Sequence, residues 1–155
     1  MQKFSALSRT YLMESSKTRI LIIEDNPDDG ALLMRQLKKA QLGEQVKMIG
    51  DGRQALDFLM LAEADHLIAI FLDLKLPNLS GLLLLQKVRA DDRRKHLPVI
   101  VMTSSNSPKD LESCKELGVS SYVQKPVTFT AFSKAVADTF HRSNSIEVVP
   151  RTQES

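Results

Sequence analysis

Short apolar runs alternate with amphipathic stretches along this chain, and most runs stop at a turn or cap signal. Residues 19–23 (RILII) form a β-branched run that predicts a strand. Asn26-Pro27 then supplies an N-cap followed by proline at the first helical position. Leu33, Leu37 and Ala40 recur at helical spacing, and Gly43 is the expected stop. Residues 46–49 make a weaker strand, followed by Asp51-Gly52 as turn or cap and a helical stripe of Ala55, Leu56, Leu59 and Met60.

Residues 67–72 give the strongest strand signal, since a nearly unbroken apolar run suits a parallel strand covered on both faces. The run ends abruptly in Asp73. A loop with Pro77, Asn78, Ser80 and Gly81 leads into a helix through Arg89, and residues 98–102 form another apolar strand. Ser107-Pro108 reopens a helix toward Leu117, with Gly118 as its stop. Residues 119–123 form the fifth strand, Pro126 breaks it, and Phe132, Ala135, Val136, Thr139 and Phe140 share one helical stripe.

Five strand-helix units in alternation predict an α/β fold: a doubly wound, five-stranded parallel sheet with five helices on its two faces. The domain is expected at 18–142. Residues 1–17 and 143–155 are polar and aperiodic, which predicts a mobile N-terminal arm and a C-terminal tail.

Composition narrows the function classes. A chain of 155 residues suits one domain. Twenty-one Lys and Arg against nineteen Asp and Glu leave a charge of +2, too little for the phosphate neutralisation that nucleic-acid binding requires. Aromatics are 5% with no Trp, so base-stacking platforms are scarce too. Cys114 stands alone, which rules out an internal disulfide framework and fits a reducing compartment. No apolar run approaches the ~18 residues of a membrane span, and residues 1–17 lack a signal peptide's apolar core. These features predict a cytoplasmic protein.

In open α/β sheets the reactive crevice lies beyond the carboxyl ends of the strands. The residues there are Glu24-Asp25 after strand one, Asp73 after strand three, Thr103-Ser104 after strand four and Lys125-Pro126 after strand five. Each has a plainer reading beside the chemical one. Glu24-Asp25 could complement a helix dipole, Thr103 and Ser104 could cap a helix, and Lys125-Pro126 could be a turn. Asp73 resists this treatment, because a carboxylate directly after six apolar residues demands a paired or solvated place. Three carboxylates on one edge repel one another, and a hard divalent cation removes that cost. Mg²⁺ suits such an oxygen set, whereas zinc is disfavoured by scattered His66, His96 and His141.

The motifs IIEDN (22–26), FLDLKLPNLSG (71–81), VIVMTSS (99–105) and YVQKP (122–126), in that order, resemble the receiver domain of two-component response regulators over residues 18–142. The resemblance implies a flavodoxin-like strand order 2-1-3-4-5 and phosphorylation of Asp73 by a histidine kinase. It implies that Asp25, Asp73 and the Lys75 backbone carbonyl bind Mg²⁺, with Glu24 acting through water. Lys125 would stand beside the phosphoryl oxygens on a cis Lys125-Pro126 bond, and the Thr103 hydroxyl would donate to one of them. Thr103 and Tyr122 would be the switch, Tyr122 turning inward from an exposed position. The partner surface would be helix four, strand five and helix five. FLDLKLP and RKHLPVIVMTSS are similar to regulators paired with bacterial phytochromes, a subgroup whose members form homodimers through that face, here with help from Val148-Val149-Pro150. One ordinary hydrogen bond falls short of the roughly 5.5 kcal/mol that a near-complete population shift needs, so a partner or a second copy is expected to contribute.

The reading is of a single receiver acting through protein contacts, a self-dephosphorylating switch rather than a turnover enzyme, with no nucleic-acid or membrane partner. Two other readings stay open. An Asp-nucleophile phosphatase would share the metal and the acyl phosphate, but commonly carries a second carboxylate two residues on, where Lys75 stands. A docking module independent of phosphorylation would keep the pocket only as structure. Dinucleotide or flavin binding ranks below both, because no glycine-rich turn follows strand one. The stretch 93–96 (RRKH) reads as a solvated loop, and residues 82–85 (LLLL) cannot all face inward on one helix.

Overall fold

In the computed structural model, residues 17–143 are described. Apart from residues 17 and 143 themselves, the predicted arms, including Val148-Val149-Pro150, lie outside the described residues. The strands are β1 (Ile20–Ile23), β2 (Val46–Ile49), β3 (Ala69–Leu72), β4 (Val99–Thr103) and β5 (Ser121–Gln124). The helices are α1 (Pro27–Lys39), α2 (Gly52–Leu59), α3 (Gly81–Ala90), α4 (Pro108–Glu116) and α5 (Phe129–Ser143). All five strands pair in parallel in the order β2-β1-β3-β4-β5. This is the doubly wound, flavodoxin-like arrangement, with the central strands β1, β3 and β4 buried throughout.

Alternation along each strand divides the core. Leu21, Ile23, Ile70, Leu72 and Val101 face one layer, packing with Leu59, Leu84, Leu85 and Cys114 of α2, α3 and α4. Ile20, Ile22, Phe71, Ile100 and Met102 face the other, with Leu33 and Leu37 of α1 and Phe132 and Ala135 of α5. The Phe71 and Phe132 rings stack at 5.8 Å between centroids. Both faces are covered, which is why these strands read as continuous apolar runs.

Several local expectations need correction. Ala40 is not on the buried stripe of α1; it is the exposed C-cap, and the turn is made by Gln41 at φ 62° before Gly43 is reached. Met60 likewise caps α2 at the surface, while Phe58 takes the buried place. Leu67 does not open β3, because a 3₁₀ helix (Ala62–His66) intervenes and Leu67 caps it. In α3, Leu84 and Leu85 are buried and Leu83 is exposed, as the helical circumference requires.

The largest departure is Arg94, expected in a solvated loop but only 3% exposed. Its Nε donates to the Leu59 carbonyl (2.7 Å), Nη2 to the Leu61 carbonyl (2.9 Å) and Nη1 to Asp65 (2.7 Å). The end of α2 leaves carbonyls without helical partners, and the guanidinium fork supplies them. Arg89 does the same at the end of α4, where its Nε donates to the Leu117 carbonyl (2.6 Å) and its Nη2 to the Gly118 carbonyl (3.2 Å).

Burial pushes the Cys114 thiol up to about 11, assisted by the charge of Asp110. An unfolded thiol ionises near its ordinary 9.0 while the folded one stays neutral. The unfolded state therefore releases a proton first, and stability falls as pH rises from about 9 to about 11. Urea midpoints taken at pH 8 and pH 10.5 should show this loss, and Cys114→Ala should fall by less between the two.

Candidate phosphoryl-acceptor site

The site forms where β1, β3, β4 and β5 end together. Register places Ile23 beside Leu72, so the next residues, Glu24 and Asp73, leave the sheet at one level. Asn26 starts α1, its Oδ1 accepting the N–H groups of Asp28 (2.9 Å) and Asp29 (3.0 Å), while its own N–H donates to Glu24 Oε2 (3.1 Å). This turns the chain sharply and leaves Glu24 buried and Asp25 exposed. On the other side Gly81 lets α3 begin against the end of β3. A Cβ there would collide with the Asp73 carbonyl oxygen and stand 2.6 Å from Leu74 Cα.

The loop between β3 and α3 is tethered to the neighbouring unit. Asn78 adopts φ 68° and donates from its side chain to Asp51, the N-cap of α2, and the Gly52 N–H donates to the Pro77 carbonyl at 3.1 Å. The Asp51 carboxylate also accepts the Gln54 N–H at 2.9 Å, and this bond first, then that from Asn78, holds the carboxyl below its ordinary value.

Glu24, Asp25 and Asp73 each offer a carboxylate oxygen within 4.8 Å of the others. The Lys125 ammonium, carried on the predicted cis bond to Pro126, reaches Glu24 (2.6 Å), Asp29 (2.8 Å) and Asp73 (3.1 Å). Burial is the strongest influence on Lys125 and lowers its pKa, but its hydrogen bonds to Asp29, Glu24 and Asp73 outweigh it and hold the ammonium above the ordinary lysine value. Burial raises the Glu24 carboxyl, against the hydrogen bonds from Lys125 and the Asn26 N–H, and the charge of Asp73 adds to the rise. The like-charge crowding expected from the sequence is thus a lesser cause than burial.

Three carboxylates share one ammonium here, and a fourth, Asp25, has no side-chain partner among the described residues. The donors are all oxygen, with neither histidine nor cysteine in the cluster. Such a set fits a hard divalent cation.

Thr103 is fully buried at the end of β4, and its backbone carbonyl accepts the Lys125 N–H at 2.9 Å. Its hydroxyl accepts the Ser105 N–H (3.2 Å), and the Ser105 carbonyl in turn accepts the Tyr122 hydroxyl (3.2 Å). Tyr122 is half-buried, outside the carboxylate cluster but linked to it through Ser105. Burial raises its phenol, against the hydrogen bond to Ser105. Lys75 is exposed, and its backbone N–H donates to Asp73 Oδ1 at 3.1 Å.

Two contributors were not anticipated. Asp29 contacts Lys125, yet an acid in the first turn of a helix is explained by the dipole alone, so nothing in the sequence marked it. Asp110 accepts the Ser105 hydroxyl at 2.6 Å, fastening the loop between β4 and α4 to the first turn of α4.

The response regulator receiver domain family matches residues 20–137. The probable methanogenesis regulatory protein FilR2 of Methanothrix harundinacea is 32% identical over 77% of this chain and 79% of its own. The bacteriophytochrome response regulator AtBRR is 40% identical, with a TM-score of 0.67 over 79% of this chain and 92% of that one. The receiver domain of sensor histidine kinase PA1611 from Pseudomonas aeruginosa, solved with a magnesium ion coordinated in its active-site cleft, is 28% identical with a TM-score of 0.63, over 77% of this chain and 94% of that one. On the strength of its fold, its carboxylate edge and a match across most of its length, the chain belongs to the response regulator receiver domain family.

Proposed function

We propose that this receiver accepts a phosphoryl group from a histidine kinase onto Asp73 in a Mg²⁺-dependent reaction and signals through protein contacts. The carrying observation is the single cradle in which Glu24, Asp25 and Asp73 lie within 4.8 Å of one another, with the Lys125 ammonium 3.1 Å from Asp73. Asp25, Asp73 and the Lys75 carbonyl would hold the ion, with Glu24 acting through water. An ion held there would neutralise charge on the cradle and on the transferring phosphoryl oxygens.

The Asp73 carboxylate attacks the phosphorus of a phosphohistidine. An O–P bond forms as the N–P bond breaks, and the imidazole nitrogen keeps the electron pair. Lys125 turns an N–H toward a phosphoryl oxygen. Thr103 accepts the Ser105 N–H with a lone pair and keeps its own proton for another. Movement of Thr103 is transmitted through Ser105 to Tyr122, and from there to the face formed by α4, β5 and α5, where a second copy or a target docks. Likeness to AtBRR supports a bacteriophytochrome-type kinase as the donor. Lys75, where a phosphatase commonly has its second acid, supports a switch over a turnover enzyme.

The test is the intact mass after incubation with a small phosphodonor. Wild type with Mg²⁺ should gain one labile phosphoryl group, and wild type with a chelator or Asp73→Asn with Mg²⁺ should gain none. Sustained release of phosphate from a phosphate ester would favour the phosphatase instead, and equal labelling of Asp73→Asn would overturn the assignment.

A further inference from the structure

Lys125 has three ammonium protons, and each has its own carboxylate: Glu24 at 2.6 Å, Asp29 at 2.8 Å and Asp73 at 3.1 Å. The two shorter bonds go to the residues that do not accept the phosphoryl group. Those two anchors belong to one closed circuit. Glu24 Oε2 accepts the Asn26 N–H (3.1 Å), Asn26 Oδ1 accepts the Asp29 N–H (3.0 Å), and Asp29 Oδ2 returns to Lys125. The start of α1 thus fixes both anchors relative to each other. With two protons fixed, the third can point only toward Asp73, where the phosphoryl oxygens arrive.

We infer that Asp29 is a positioning residue for the phosphorylation reaction: with Glu24 it holds the flexible Lys125 side chain so that its remaining N–H is aimed at Asp73 before the phosphodonor binds. This rests on the phosphoryl-acceptor reading above. On transfer, the bond to Asp73 passes to a phosphoryl oxygen and the other two are kept. A four-carbon stem with one anchor removed samples several rotamers, and misplacement of a stabilising group by about 1 Å costs up to about a hundredfold in rate.

Asp29→Ala removes one anchor at a side chain 39% exposed, so the fold is expected to survive. Its phosphorylation rate at saturating phosphodonor should fall about tenfold, with the half-saturating concentration unchanged. The Lys125 ammonium resonance, recorded by NMR with no phosphodonor present, should be sharp in wild type and broadened away in Asp29→Ala. Asp29→Asn, which keeps an acceptor oxygen, should recover most of the rate and the signal. Asp28→Ala removes the neighbouring first-turn acid, which faces solvent, and should change neither.

An Asp29→Ala protein that keeps both rate and signal overturns the inference. So does an Asp29→Asn protein as slow as Asp29→Ala with its ammonium signal intact, since charge rather than position would then be at issue. A wild type that takes no phosphoryl group counts against the phosphoryl-acceptor reading instead, and the resonance measurement still decides whether Asp29 fixes the lysine.

Discussion

Lys125→Ala is expected to slow phosphorylation by a small phosphodonor about 10²- to 10³-fold, the usual loss when a prearranged donor to a reacting oxygen is removed. The same change should lower stability. The lysine side chain is 14% exposed and is the ammonium shared by three crowded acids, of which Glu24 and Asp73 are buried. Breaking a buried pair on one side costs about 3–5 kcal/mol, and partial exposure here brings the expectation to about 2–3 kcal/mol. The folded pKa of Lys125 lies above its unfolded value of 10.5. Its contribution is therefore fully present below about pH 10.5 and is lost as pH climbs toward the folded value. Without Mg²⁺, urea melts at pH 7 should show the deficit. Millimolar Mg²⁺ should recover part of it, since a ligand at a hundred times its Kd adds about 2.7 kcal/mol. A Lys125→Ala protein as stable as wild type in chelator would contradict the electrostatic account of the cradle.

Arg94→Ala should be as damaging to the fold and nearly silent for the chemistry. The substitution strands the Leu59 carbonyl and takes one of two donors from the Leu61 carbonyl, which keeps the Ala64 N–H, while Asp65, about half exposed, returns to water. A buried acceptor left without a donor costs about 1–3 kcal/mol, and the lost charge-assisted bonds to Leu61 and Asp65 bring the expected loss to about 2–4 kcal/mol. Arg94→Lys should rescue little, because one ammonium cannot reproduce the fork that serves three acceptors. Arg94 precedes β4, at the end of the sheet opposite Asp73. Protein kept well below its unfolding midpoint should therefore be phosphorylated at close to the wild-type rate. A stability change below about 1 kcal/mol would show that this guanidinium is dispensable.

These two arginine and lysine effects mark the boundary of what the chain discloses in one dimension. The strands were legible because β1, β3 and β4 are covered on both faces, and that burial leaves runs such as AIFL and VIVMT. Starts of helices were legible where a cap is a local device, as at Asn26 and Ser107. Helix ends were less so: α1 stops on Gln41 in a left-handed conformation that glycine would have announced. Glu24 and Asp73 could be placed at the crevice edge because each follows directly on an apolar run. Arg94 and Asp29 could not, since their partners lie 29 to 35 and 96 positions away, and a charged residue in isolation looks like surface. Tyr122 was placed on the correct strand, but its bond to the Ser105 carbonyl depends on how the loop after β4 folds back.

The most direct measurement locates the acyl phosphate itself. Protein exposed to Mg²⁺ and a small phosphodonor is reduced with borohydride, which converts an aspartyl phosphate to homoserine, and the modified position is read from peptide masses. The account predicts homoserine at position 73 and nowhere else, formed only when Mg²⁺ is present. Modification at Asp25, Asp29 or another carboxylate, or its formation at full yield in chelator, would contradict it.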